Sequence, residues 1–273
     1  MEQTFSVIVL TFFSYSFLGW VWETIYCSVK AKRFVYRGFL LGPITPIYGF
    51  GVSGVLYLIE PYQNNIGLLF VLATVLVTLL EYGTSFLLEK LFHARLWDYT
   101  QVPLNINGRI AIPISFFWGI CCVMIVRVVN PRVEELIVNF TEHFGIFLPL
   151  ILLMMISFDL GFTLANVVSF RRKLKELGIA IQEKKQQLQS SVNEIKAAAS
   201  EQYNGWKDEN QSLKTENNEW LESFREQPRL RSHLPKLNFS ERHFLSGFPN
   251  MKQNEEKSTL EEIRLLVKEL RKK

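Results

Sequence analysis

Five apolar stretches of membrane-spanning length dominate the first 170 residues, and they constrain the fold more than any other feature. They cover about residues 5–28, 39–59, 66–88, 112–129 and 144–170. Each is close to the roughly 20 residues that an α-helix needs to cross the ~30 Å hydrocarbon core of a bilayer. We therefore expect an all-α membrane domain in residues 1–170, with five transmembrane helices.

Charged residues are concentrated in the remainder of the chain. Residues 1–170 contain only 9 of the 30 Lys and Arg residues and 10 of the 26 Asp and Glu residues. This asymmetry is typical of a membrane domain joined to a soluble tail. The tail has a net charge of +5, and it lacks the dense basic patch with interleaved aromatic residues that nucleic-acid binding requires. We expect no nucleic-acid partner.

Basic residues also predict the orientation of the membrane domain. Segments 29–38 and 89–111 and the start of the tail, 171–175, are rich in Lys and Arg, whereas the opposite segments, 60–65 and 130–143, hold only Arg132. The positive-inside rule places the basic segments in the cytoplasm. We expect a multi-pass protein of a bacterial plasma membrane, with its N-terminus outside and its C-terminus in the cytoplasm.

One motif occurs twice, 70 residues apart, as Arg37–Gly49 (RGFLLGPITPIYG) and Asn107–Gly119 (NGRIAIPISFFWG). Both copies fit Gly-x4-Pro-Ile-[Ser/Thr]-x2-[Tyr/Trp]-Gly. Each copy opens an apolar run and follows another run that carries one glutamate. This pattern predicts two tandem helical hairpins that enter the membrane from the same side. A coincidence of residues that favour helix starts is the alternative.

Glu23 and Glu81 lie inside predicted spans, roughly 10–14 Å from the cytoplasmic boundary. Arg37 and Arg109 flank the first glycine of the two motif copies. A carboxylate in hydrocarbon is costly unless it is paired, so we expect these carboxylates to pair with the arginines. Structural ion pairs, a substrate or ion pathway, and hydrated carboxylates near the interface remain open interpretations. Asp159, in the last predicted span, is expected only to pack helices through small neighbours.

The second hairpin has an insertion, Leu96–Ile110, that the first lacks. It gathers hydrogen-bonding side chains at the predicted cytoplasmic mouth: Trp97, Asp98, Tyr99, Asn105, Asn107 and Arg109. Tyr48 and Trp118, which occupy the same position in the two motif copies, are expected one turn further in. We interpret the insertion as a loop that caps the bundle, with a recognition loop as the alternative.

Sites for catalysis, metals and cofactors are not expected. The sequence has no convergent Ser/His/Asp or Cys/His set and no Gly-x4-Gly-Lys-[Ser/Thr] phosphate loop. Cys27, Cys121 and Cys122 lie in apolar runs, and the four histidines lack the spacing of metal ligands. We therefore predict a protein that is not an enzyme.

Three segments are predicted in the tail. Residues 171–224 carry apolar residues every seven positions with one stutter, which predicts a long cytoplasmic helix or coiled coil; a single solvated helix is the alternative. Residues 225–257 are polar and contain prolines, which predicts a flexible linker. Residues 258–273 predict an amphipathic helix that lies on the inner leaflet, binds a partner or frays.

The motif order GWVWETIY, YRGFLLGPITPIYGFG, WDY, NINGRI and FFWG resembles a bacterial family of small polytopic proteins, the type IV (CmpB-like) ABC-transporter permeases, over about residues 8–120. The resemblance implies a permease-like membrane subunit. Because the chain has no nucleotide-binding domain, the ATPase would be another chain. A membrane scaffold or sensor that acts through its cytoplasmic tail is the alternative. Five spans are few for a complete pathway, so a homo- or hetero-oligomer in contact with membrane lipid is expected.

Overall fold

The computed structural model describes residues 2–92 and 94–200, together with His243, Gly247, Lys252 and Gln253. The chain divides into two compact units. The first comprises Met1–Val168 and Phe239–Asn254, and the second comprises Ser169–Asn238 and Glu255–Lys273. The predicted membrane domain, residues 1–170, coincides closely with the larger part of the first unit.

Helices make up most of the described chain. They are α1 (Glu2–Ala31), α2 (Pro46–Leu58), α3 (Ile66–Phe92), α4 (Ile112–Met124), α5 (Asn130–Phe144) and α6 (Phe147–Ser200). A 3-10 turn, Glu60–Tyr62, precedes α3, and a π-turn, Ile125–Val129, joins α4 to α5. Four short strands form two antiparallel pairs, β1 (Ala94–Arg95) with β4 (Lys252–Gln253) and β2 (Asn105–Ile106) with β3 (Ile110–Ala111).

Among the described residues, four continuous helical stretches are long and apolar enough to cross a membrane: Glu2–Ala31, Ile66–Leu91, Ile112–Phe144 and Phe147–Ser169. The chain is therefore a mostly helical, multi-pass membrane protein. The predicted span at 39–59 contains only the 13-residue helix α2, which is about 20 Å long. The predicted count of five spans is thus not confirmed.

Two prolines explain why the segment before α2 is not helical. Proline disfavours helical conformation in the residue before it and lacks the amide that a helix interior needs, and Pro43 and Pro46 are only three residues apart. Pro46 is tolerated in the first turn of α2, where its amide would be unpaired in any case. The Thr45 amide donates to the Ser16 carbonyl at 2.9 Å, so α2 begins beside the middle of α1.

Residues 130–143, predicted as an external loop, form α5 instead. Pro131 stands in the first turn of α5, where a missing amide costs little. The π-turn before it keeps the helix continuous, because the Asn130 amide donates to the Ile125 carbonyl five residues back. The loop was predicted because one apolar run ends at 129 and the next begins at 144. A polar segment between two apolar runs can also be helical, as it is here.

The apolar core lies at one end of the helical bundle. It is formed by the C-terminal halves of α2 and α4, the N-terminal half of α3 and one residue of α1: Tyr15, Val52, Val55, Leu56, Ile59, Leu69, Ala73, Cys122 and Val126. Segments 32–45 and 94–111 lie at the opposite end, which we call the loop end. Helix pairs α1–α2, α2–α3 and α3–α4 pack against one another and surround the space near the loop end.

The second unit contains the continuation of α6 from Ser169 to Ser200. This helix covers the first part of the predicted coiled coil at 171–224. Residues 201–224, the predicted amphipathic helix at 258–273 and most of the predicted linker at 225–257 lie outside the described residues. The coiled coil, the linker and the terminal helix therefore stay predictions.

Candidate functional site

The two motif copies share the backbone roles of their first and last glycines, although α2 begins at Pro46 and α4 begins at Ile112, four residues earlier in the motif. The first glycine of each copy has a positive φ, +114° at Gly38 and +67° at Gly108, which L-residues with a side chain rarely adopt. The last glycine of each copy lies at a helix contact. A Cβ at Gly49 would lie 2.6 Å from a carbonyl oxygen of α1, and one at Gly119 would lie 2.8 Å from a ring carbon of α3. Only glycine permits these close approaches.

A cavity of about 570 Å³ lies between α1, α2, α3 and α4 towards the loop end. Its charged lining residues are Glu23, Arg37 and Glu81. Seven aromatic side chains also line it: Trp22, Tyr26, Tyr48, Trp97, Tyr99, Phe117 and Trp118. The fold thus brings together both in-span glutamates and one of the two predicted arginines. Four of the aromatic residues singled out in the sequence also line the cavity: Tyr48, Trp97, Tyr99 and Trp118.

Glu23 is held by two partners from the first hairpin. The Arg37 guanidinium lies 3.2 Å from one carboxylate oxygen, and the Tyr48 hydroxyl donates to the other at 3.0 Å. Arg37 also donates to the carbonyl of Gly247. Both oxygens of Glu23 are therefore satisfied, and its charge is balanced within the chain.

Glu81 has a different environment from Glu23. Its side chain is only 8% exposed, and its Oε1 accepts a hydrogen bond from the Tyr99 hydroxyl at 3.0 Å. The buried Oε2 has no hydrogen-bond partner among the described residues. Burial raises the pKa of the Tyr99 phenol well above its usual range, and the neighbouring Glu81 charge acts in the same direction. Tyr99 therefore remains protonated and acts as the donor.

Arg109 does not pair with Glu81, in contrast to the expected pairing. Its guanidinium lies 2.8 Å from Glu89, whose same oxygen lies 2.9 Å from Arg95. Glu89 is eight residues beyond Glu81 on α3, about 12 Å further along the helix. Sequence analysis missed Glu89, although its position at the end of a basic-flanked helix was a usable signal. The Arg109 guanidinium also lies over the Tyr82 ring, 5.3 Å from its centroid.

The insertion contributes both wall residues and residues that shape the loop. Trp97 and Tyr99 line the cavity, whereas Asp98, Asn105 and Asn107 bond within or beside the insertion. Asp98 accepts two hydrogen bonds from Thr100, at 3.1 Å from its amide and 2.9 Å from its hydroxyl. The Asn105 amide donates to the Val102 carbonyl at 2.8 Å, and the Asn107 amide to the Tyr82 hydroxyl at 3.3 Å. These three residues fix the loop that presents Trp97 and Tyr99.

Asp159 anchors the irregular segment before α2, a role that the sequence did not indicate. Its two oxygens accept hydrogen bonds from the backbone amides of Leu41 at 3.1 Å and Gly42 at 2.7 Å. The Thr163 hydroxyl, one of its expected small neighbours, donates to it at 3.0 Å. Irregular backbone inside a membrane protein requires such internal partners. Asp159 thereby holds the segment that connects Arg37 to α2.

His243 packs on the loop end from a distant part of the chain. It is buried, and its Nε2 lies 3.1 Å from the Gly38 carbonyl, to which it donates. Burial lowers the pKa of His243; the Gly38 hydrogen bond and the Asp159 charge oppose this shift, and the Arg37 charge adds to it. Docking therefore favours the neutral imidazole. This residue lies in the segment 225–257 that was predicted to be a linker.

Comparison with known protein families assigns the chain to one of them. A family model described as Putative ABC-transporter type IV matches residues 10–164, more than half of the 273 residues. The chain therefore belongs to this family. The matched region contains both motif copies and all residues that line the cavity. Comparison with curated proteins and with solved structures found no match.

Proposed function

We propose that the chain is the permease-like membrane subunit of an ABC-type transporter, and that the ATPase is a separate chain. Membership of the family supports the transporter class. The cavity that holds Glu23 and Glu81 is the observation that carries the proposal, because ionisable groups inside membrane domains commonly mark substrate or ion pathways. In this proposal the chain binds and passes a solute and performs no covalent chemistry.

The proposed setting is a bacterial plasma membrane, with the loop end and the C-terminus in the cytoplasm. The concentration of Lys and Arg in segments 29–38 and 89–111 supports this orientation. A cytoplasmic ATPase would then meet the loop end. Four long apolar helices are few for a complete pathway, so we propose that the working transporter is a homo- or hetero-oligomer.

The first test is purification of the intact protein from membranes in mild detergent, with identification of the co-purifying chains and assay of nucleotide hydrolysis. We expect a stoichiometric ATPase partner. In proteoliposomes, Glu81→Gln should change the hydrolysis rate of the complex, whereas Glu60→Gln, a change at an exposed glutamate outside the cavity, should not. Recovery of the chain alone, or with partners that do not hydrolyse nucleotide, would refute the proposal.

A second candidate is a membrane scaffold or sensor that acts through residues 171–273. The extension of α6 beyond its apolar part to Ser200 favours this candidate. Deletion of residues 171–273 separates the two functions. A scaffold would lose its entire cellular function, whereas a permease core would keep part of its transport activity.

A further inference from the structure

The charges of the cavity wall do not cancel. Glu23 is balanced by Arg37, but the ion pairs within the described part of the chain do not include Glu81. The Glu81 side chain is more than nine-tenths buried, and its Oε2 has no hydrogen-bond partner in that part of the chain. An unpaired carboxylate in a buried site is unfavourable unless a positive charge compensates it. With Glu81 ionised, the cavity wall therefore carries one excess negative charge.

Aromatic side chains line the cavity that contains this carboxylate. Tyr48 and Trp118, from the same position in the two motif copies, pack edge to face with ring centroids 5.5 Å apart. Trp97 and Tyr99 come from the insertion, so the second hairpin contributes two aromatic lining residues that have no counterpart in the first. Aromatic rings attract cations through their negative faces, and cages of such rings commonly bind quaternary ammonium groups.

We propose that the cavity is a binding site for a monovalent organic cation of the ammonium or phosphonium type, with an aromatic or branched alkyl body and with Glu81 as the counter-charge. The volume of about 570 Å³ suits a ligand of this size. That this cation is the transported species rests on the proposed function. Binding itself requires neither an ATPase nor transport.

Other ligand classes fit the cavity less well. A divalent metal ion requires several hard ligands, and no group of three or more His, Cys, Asp or Glu residues is placed to hold one in the described part of the chain. An anion would meet a net negative wall, because the Arg37 charge is already matched by Glu23. A neutral ligand would leave the Glu81 carboxylate uncompensated in a still drier site.

Direct binding to the purified full-length protein in detergent tests the proposal. The probes are radiolabelled tetraphenylphosphonium, measured by scintillation proximity, and the smaller benzyltrimethylammonium, measured by calorimetry. We expect saturable binding that neutral triphenylphosphine oxide does not displace. Glu81→Gln should weaken the binding at least about tenfold, because it removes the counter-charge and keeps the size of the side chain. Glu81→Asp keeps the charge and should bind more tightly than Glu81→Gln.

Glu60→Gln is the matched control, since it also removes one negative charge but lies outside the cavity. Size-exclusion profiles and melting temperatures establish that each variant is folded. Equal binding by Glu81→Gln and the unaltered protein, displacement by the neutral compound, or no saturable binding of either cation below about 1 mM would overturn the inference. Cation binding without an ATPase partner would refute only the proposed function, and an ATPase-coupled transporter without cation binding would refute only this inference.

Discussion

Replacing Asp159 by alanine should release the irregular backbone before α2. Asp159 accepts the amides of Leu41 and Gly42, and hydrogen bonds to a charged group contribute roughly 1.5–3 kcal/mol each. Loss of both bonds would cost about 3–6 kcal/mol if nothing replaced them. Asp159 is half-buried, so water can replace part of the loss, and we expect about 3 kcal/mol. This change corresponds to roughly a hundredfold faster amide exchange in the segment.

Hydrogen–deuterium exchange of the purified full chain, read from peptides that cover residues 38–45, measures this release. Asp159→Asn retains one acceptor oxygen and should give an intermediate rate. Ser157→Ala is the matched control, because the Ser157 hydroxyl, two residues away on α6, donates to the Leu153 carbonyl of its own helix at 2.7 Å. Unchanged exchange in Asp159→Ala, or an equal increase in Ser157→Ala, would show that Asp159 does not anchor the segment.

Two further perturbations test the packing of the second hairpin and the docking of the distant segment. Gly119→Ala should destabilise the protein by about 1–3 kcal/mol, because the added Cβ would overlap atoms of α3. Gly161→Ala is the control, since a Cβ there would meet nothing within 4 Å. Equal shifts of the melting temperature in the two variants would contradict the close packing at Gly119. The docked His243, which is influenced by the charges of Arg37 and Asp159, has a pKa below the ordinary value of 6.5, so the docked state binds fewer protons than the undocked state. Docking should therefore be strongest above pH 6.5 and weaken as the pH falls below this value. Hydrogen exchange of peptides containing His243 measures this effect, and an identical pH response in His243→Gln would rule out the imidazole as its cause.

The lengths of the apolar stretches in the sequence predicted most of the helices. Four of the five apolar stretches coincide with helices long enough to span a bilayer, because apolar length is a local property of the sequence. The stretch at 39–59 does not form a full-length helix, and hydropathy could not predict this because it contains no information on backbone conformation. Pro43 and Pro46 prevent a full-length helix there, although every neighbouring side chain is compatible with lipid.

Contacts between distant parts of the chain could not be predicted in the same way. The first-hairpin pair of Glu23 and Arg37 is separated by 14 residues, and the sequence analysis had named both. The Asp159 contacts cross 117 and 118 residues, and the contact of His243 with Gly38 crosses 205. Neither polar residue has a local pattern that specifies its partner, so only the packed fold identifies the role of each.

The difference between the two motif copies lies in where each places its arginine. Arg37 precedes the positive-φ glycine of the first copy, and Arg109 follows that of the second. In the first hairpin the guanidinium reaches the in-span glutamate, whereas in the second it binds Glu89 near the end of α3. The insertion then supplies a neutral hydroxyl, not a cation, to Glu81. The glutamate of the first segment is therefore balanced by an arginine, whereas the glutamate of the second is not, and this second carboxylate lines the cavity where the proposed cation would neutralise it.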